Sequence, residues 1–231
     1  MDTHRQDIIK KLSEKSTVKY KVYDNTLAVF EKIKALIIET TNDIKQGVSN
    51  LDIEIPVDYK ERGKFEMELK VAADLVIMTM HSNVFKMPDS HFVRQTAYVK
   101  ENPYRGYCGI INIYNFIADS FKYNRYNDVG HLIGRLFINY ENHYFVEGKK
   151  QLGFLFNDFT NQIIDDEQIK KMIYTSILFS IELDLVAPPI DSIQQVTVGE
   201  MNQITSSISL KTGKKLGFRF EYEQAKNTKK K

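Results

Sequence analysis

Tryptophan is absent from this 231-residue chain, cysteine occurs once, and there are only 11 glycines and 5 prolines. A single thiol, Cys108, cannot close an internal disulfide, unlike the small secreted scaffolds that use cysteines in even numbers. No window approaches the roughly 18 apolar residues that a membrane-spanning helix requires. The opening stretch MDTHRQDIIKKLSEK lacks the apolar core of a secretory signal. These absences predict a cytoplasmic chain without a membrane span. The signature of disorder is missing as well, since 42% of residues are hydrophobic and the net charge is only +2. A chain of this size buries roughly 70–75% of its unfolded surface and needs no disulfide or metal to fold.

The common catalytic signatures are also absent. There is no Gly-rich phosphate loop, no cysteine pair for zinc, no HExxH and no Gly-x-Ser-x-Gly elbow. ATPase, kinase, Rossmann oxidoreductase, zincin and α/β-hydrolase assignments lose their footing, and neither cofactor nor metal is expected.

What is present falls into three zones. Residues 2–47 have helical spacing, with a short segment over Thr3–Leu12 and a longer one expected to open at Asp24, a side chain able to cap a first turn. In the longer helix Leu27, Phe30, Ile33, Ile37 and Ile44 make one stripe that ends near Gly47. Residues 53–147 read as strands. Phe65–Val71 alternates apolar and charged residues, Leu75–Phe85 is denser in apolar residues, and Phe92–Val99 and Tyr104–Phe116 follow. Helix remains a rival over residues 64–82, because Phe65, Leu69, Val76 and Met80 also fit its period. Ala118–Gly130 is polar, a loop or short helix, and Leu132–Asn139 with His143–Glu147 reads as a hairpin around Tyr140-Glu141-Asn142. Short turns between strands imply antiparallel pairing.

From residue 152 the helical period returns. Ile169, Met172, Ile173, Ile177, Ile181 and Leu185 form an amphipathic run, introduced by Asp165-Asp166 and stopped by Pro188-Pro189. Thr197-Val198-Gly199-Glu200 has the form of a capping box, and Leu216–Tyr222 alternates weakly as an edge strand. The expectation is one α+β domain over residues 1–222, its mainly antiparallel sheet (about residues 53–147) flanked by helices from both ends of the chain. Residues 223–231 read as a flexible basic tail. Residues 211–231 hold eight Lys/Arg against two Glu, +6 in all, so the preceding 210 residues carry −4 of the +2 total. Such a tail is ordinarily a solvated terminus, with contact to nucleic acid as the alternative.

Two groups of residues are candidates for a site. His81, Glu141 and His143 are polar positions in or beside apolar strands, and Glu141 and His143 share a face wherever the backbone is extended. Such groups suit acid–base chemistry, the phosphoester hydrolase or nuclease reading, although satisfied structural histidines are the plainer account. The second group is the segment Phe121–Asp128, which interleaves Lys122, Tyr123, Asn124, Arg125 and Tyr126, with Arg105 from a neighbouring strand. Tyrosines stack on bases, Arg and Lys neutralise phosphate, and the same residue types anchor protein interfaces. A purely structural loop competes with both. The preferred reading is a non-enzymatic binding or regulatory protein. It recognises a partner protein, nucleic acid or nucleotide, or associates with itself, the third reading being a subunit of a larger assembly.

Overall fold

A computed structural model describes residues 2–184 and 197–202. Its contacts separate Met1–Phe116 with Gly130–Leu183 from a second unit that takes Ile117–Val129 and the chain from Asp184 onward. The expected stop at Pro188-Pro189, the edge strand Leu216–Tyr222 and the basic tail lie outside the described residues.

The first unit opens with one long run of helix. Helix α1 (Asp2–Lys11) continues through a π-helical turn (Leu12–Ser16) into α2 (Thr17–Val48). The start expected at Asp24 is therefore wrong. No glycine or proline occurs before Gly47, so nothing interrupts the backbone ladder, and Asp24 lies inside the helix. Neither α1 nor the π turn buries a residue. The first buried side chain is Val22, followed by Thr26, Val29, Phe30, Ile33 and Ile37. These steps of three and four seat the second half of the helix on the sheet.

That sheet comprises, among the described residues, β1 (Val57–Gly63), β2 (Glu66–Val71), β3 (Asp74–Met80), β4 (Phe85–Lys86), β5 (Tyr107–Ile117), β6 (His131–Ile138) and β7 (Tyr144–Gly148). The spatial order is β1-β2-β3-β5-β6-β7, with β4 alongside β5. The consecutive pairs β1–β2, β2–β3, β4–β5, β5–β6 and β6–β7 are antiparallel. The fold is α+β, as the order of periodicities implied, and residues 64–82 resolve as strand. Short helix α6 (Gln151–Leu155) follows β7; α7 (Asp166–Ile181) begins where Asp165 accepts the Gln168 N–H at 2.8 Å, and it packs beside α2.

Strand periodicity explains two separate cores. On one face, Met67, Leu69 and Val71 of β2, Ile111 and Ile113 of β5, Leu136 and Ile138 of β6, and Tyr144 and Val146 of β7 meet α2 and α7. On the other face, Cys108, Phe137 and Phe145 meet Met87, Val93, Val99 and Phe159. Strands β5–β7 contribute buried side chains to both cores and therefore contain continuous apolar runs, whereas β2 is covered on one side and alternates.

The second cover differs from the sequence expectation. Phe92–Val99 is not a strand but two single-turn helices, α3 (Phe92–Gln95) and α4 (Ala97–Glu101), followed by a 3-10 turn at Pro103–Gly106. The cause is local. The side chains of His91, Thr96 and Asn102 each accept a backbone N–H two or three residues ahead (Val93, Val99 and Tyr104), starting a new turn at every fifth or sixth residue. Strand β5 accordingly begins at Tyr107 rather than Tyr104. Likewise β3 ends at Met80, because the His81 ring accepts the Asn83 N–H and turns the chain before β4. The β6–β7 hairpin lies where the sequence places it, with Asn142 at its turn (φ 63°).

In the second unit, α5 (Ala118–Lys122) precedes a polar turn. The Thr197 hydroxyl accepts the Glu200 N–H at 3.1 Å while the Glu200 carboxylate accepts the Thr197 N–H at 2.8 Å, the reciprocal pattern of a capping box.

Candidate functional site

Glu141 and His143 follow β6 at the hairpin turn and the start of β7, and their two-residue spacing does put both against one partner, Tyr98 of α4. The Tyr98 hydroxyl donates to Glu141 Oε2 at 2.5 Å, and its ring stacks on the His143 imidazole with centroids 4.5 Å apart. On the side of Tyr98 reached by Arg105, the guanidinium carbon lies 4.5 Å from the ring centroid. Arg105 also donates through Nε to Glu141 at 3.1 Å, and through Nη1 to the Tyr98 carbonyl at 3.1 Å and Glu101 at 2.5 Å. Beneath them lies Asn139, fully buried. Its carbonyl oxygen accepts the N–H groups of Glu141 and His143, and its amide donates to the Tyr98 hydroxyl and the Arg105 carbonyl. From α2, Asn25 donates to the carbonyls of Asn139 and Tyr140.

The electrostatics follow from this packing. Burial opposes ionisation of Glu141, but hydrogen bonds from Tyr98, Tyr140 and Arg105 outweigh it and hold the carboxyl below its usual range. Burial, then the Glu141 contact, push the Tyr98 phenol up, so it stays a neutral donor. The His143 Nδ1 lies 3.0 Å from the Phe159 carbonyl, which can only accept, so Nδ1 is the donor in that contact. Glu141 is thus an ionised acceptor rather than a proton donor, and Tyr98 stands between it and the imidazole.

His81 is not part of this cluster. It is exposed, its ring accepting the Asn83 N–H and meeting the Phe85 ring edge-on at 4.7 Å, while its backbone N–H bonds the Ile110 carbonyl. Arg105 lies in the sheet-bearing unit with its guanidinium engaged by two carboxylates, an arrangement its strand-like sequence context did not announce. Asn139, the hub of the network, was missed as a site residue because it closes an ordinary-looking apolar segment. Asn139 offered one signal, an amide closing an apolar strand, and such a buried amide must find partners. Cys108 is fully buried and its thiol is pushed well up by burial, the setting of an inert core cysteine. No group of three or more metal-ligating side chains occurs among the described residues.

The loop of the second unit is organised differently. Lys122, Asn124, Arg125 and Tyr126 face solvent, and Tyr126 is 89% exposed. Ser120 pins the loop, donating its hydroxyl to Asp128 at 2.6 Å and accepting the Arg125 N–H at its carbonyl at 2.8 Å. Asn124 takes a left-handed conformation (φ 53°), which asparagine tolerates better than most side chains. Tyr123 sits beside two cations, Lys122 Nζ at 5.0 Å and the Arg125 guanidinium at 5.4 Å from its ring centre. Lys122 and Arg125 are each 4.0 Å from a carboxylate of the same segment, Asp119 and Asp128 respectively. Two positive and two negative side chains therefore cancel over residues 118–129.

No helix among the described residues is long and apolar enough to cross a membrane. No family model, no curated protein and no solved structure matches the chain.

Proposed function

We propose that this chain is a non-enzymatic binding protein that recognises a partner protein through the loop Phe121–Asp128. The observation that carries the reading is the display of Tyr126, almost wholly solvent-facing, on a backbone held by Ser120, with Lys122 and Arg125 beside it. A preformed loop avoids part of the ordering cost of association, and tyrosine and arginine are the residues that most often anchor interfaces. Charge favours a protein over nucleic acid. Phosphate binding draws its affinity from net positive charge and counterion release, whereas here each cation has a carboxylate of its own segment 4.0 Å away. Arg105, the other cation considered for phosphate, is held by Glu141 and Glu101. The hydrolase or nuclease alternative gains nothing from the hairpin, where Glu141 and His143 both contact Tyr98 and His81 contacts neither.

A photo-crosslinking amino acid at position 126, used in the native host, tests the proposal, with exposed Tyr20 as the control position. The expected result is one or a few discrete protein adducts from position 126 that disappear with Arg125→Ala. Nuclease-sensitive adducts, or the same adducts from both positions, would refute it.

A further inference from the structure

Helix α7 has an apolar stripe on the side away from the sheet. Tyr174, Leu178 and Ile181, at steps of four and three, are 40%, 54% and 51% exposed, while Ile169, Met172, Ile173 and Ile177 of the same helix are in the core. Extended one step back, the series begins with Lys171. In heptad terms Lys171 and Leu178 take one seam position and Tyr174 and Ile181 the other. The N-terminal end of the stripe is basic, with Lys170 and Lys171, and its C-terminal end is acidic at Glu182. Lys170 is committed to Glu39 at 2.8 Å, leaving Lys171, whose ammonium lies 5.9 Å from the Phe156 ring centre, as the cation of the seam; Glu182 has Lys150 at 4.0 Å, an exposed pair that leaves its carboxylate open to a second cation.

We infer that α7 docks on α7 of a second copy of this chain, antiparallel about a two-fold axis that passes between Tyr174 and Leu178. The pattern is its own complement. Reversing the helix sets Tyr174 against Leu178 of the second copy, Leu178 against Tyr174, and Lys171 against Ile181 with its ammonium directed to Glu182. Each contact occurs twice, as an isologous interface demands. Antiparallel helix dipoles add a favourable term, and a parallel arrangement would set Lys171 against Lys171. Beside the seam lies a shallow cavity of about 40 Å³ lined by Lys150, Leu152, Thr175, Leu178, Phe179 and Glu182, where a side chain from the opposing helix can settle. The helix is 16 residues long, and a pairing of that length buries on the order of 1,000 Å² in total, at the small end of specific interfaces. An interface at that end of the range makes a weak, reversible dimer, with a dissociation constant on the order of 10–100 µM.

Sedimentation velocity of the full chain from 2 to 300 µM reads this out (concentrations on the order of the expected constant). The expected result is a concentration-dependent monomer–dimer equilibrium, weakened about tenfold or more by Leu178→Asp and severalfold by Lys171→Glu. Adding Glu182→Lys to Lys171→Glu restores the dimer, because the swap inverts both ends of the seam. Leu178 is on the outer side of α7, and a thermal melt matching the parent confirms that the variant is folded. A parent that stays monomeric throughout, a dimer indifferent to Leu178→Asp, or a charge swap that fails to restore association overturns the inference. The loop proposal is unaffected by any of these results, since position 126 is not part of α7.

Discussion

Replacing Asn139 with alanine removes four hydrogen bonds in one step. The side chain is fully buried, and its amide holds the Glu141 and His143 N–H groups at 2.9 and 3.0 Å, the Tyr98 hydroxyl at 2.9 Å and the Arg105 carbonyl at 3.4 Å. An unsatisfied buried donor or acceptor costs about 1–3 kcal/mol. The two backbone N–H groups lie in half-buried residues that water partly reaches, so about 1 kcal/mol each is appropriate. The 3.4 Å contact is weak, and the Tyr98 hydroxyl keeps its bond to Glu141. Together with the small void left behind, the expected loss is about 3 kcal/mol. Urea unfolding followed by circular dichroism measures it directly, and for a chain of this size the melting temperature should fall by roughly 6–12 °C. Asn127→Ala, on the exposed loop, serves as the control and should stay within about 0.5 kcal/mol of the parent. A loss below about 1 kcal/mol for Asn139→Ala would refute the reasoning, because water would then replace the amide and the network would not hold the hairpin to α4.

Three further outcomes follow from the same geometry. Glu141 has a folded pKa below its unfolded value, so its stabilisation is present above the ordinary carboxylate range and disappears as pH falls through the folded value. Urea midpoints should therefore separate the parent from Glu141→Gln at pH 7 and converge at the acid end of the titration; a constant gap would contradict this. A Cβ on Gly109 would collide with the Thr26 side chain on α2, whereas one on Gly47 meets nothing within 4 Å. Gly109→Ala should destabilise by about 2–3 kcal/mol, and Gly47→Ala should stabilise by about 0.5 kcal/mol, as read from denaturant midpoints. Cys108 should react with a thiol reagent only at the rate of native-state opening, so labelling that is rapid in the absence of denaturant would show that its burial is overstated.

Much of the fold was legible because burial sets the side-chain period. Strand β2 alternates since only one of its faces meets α2, and the hairpin strands run apolar without a break over Leu136–Ile138 and Tyr144–Val146 since both faces are covered there. The misread strand has a local cause. At His91, Thr96 and Asn102 a side chain bonds to nearby backbone N–H groups, and these local bonds turned Phe92–Val99 from strand into two helical turns. Apolar content could not reveal that, because Val93 and Val99, both buried, are as compatible with a strand as with helical turns. The helix start was misjudged for the opposite reason. Asp24 resembles a cap, but a cap matters only where the ladder is interrupted, and no breaker precedes it. At the hairpin, the spacing of Glu141 and His143 indicated a shared face. It did not indicate what lies between them, since Tyr98 arrives from 43 residues away in sequence.

The unbroken run from Asp2 to Val48 places two regimes of local stability on a single ladder of hydrogen bonds. Up to Tyr20 no side chain is buried and Lys19 lies over the Tyr107 ring at 5.9 Å, so those turns rest mainly on intrinsic propensity and open at a cost close to that of an isolated peptide helix. From Val22 onward, opening a turn exposes Phe30, Ile33 and Ile37 and requires breaking the main core. Amide protons along this helix should accordingly pass within about two turns from near-peptide exchange to exchange limited by unfolding of the whole unit. The step marks where tertiary structure begins to govern a helix that the backbone alone presents as continuous.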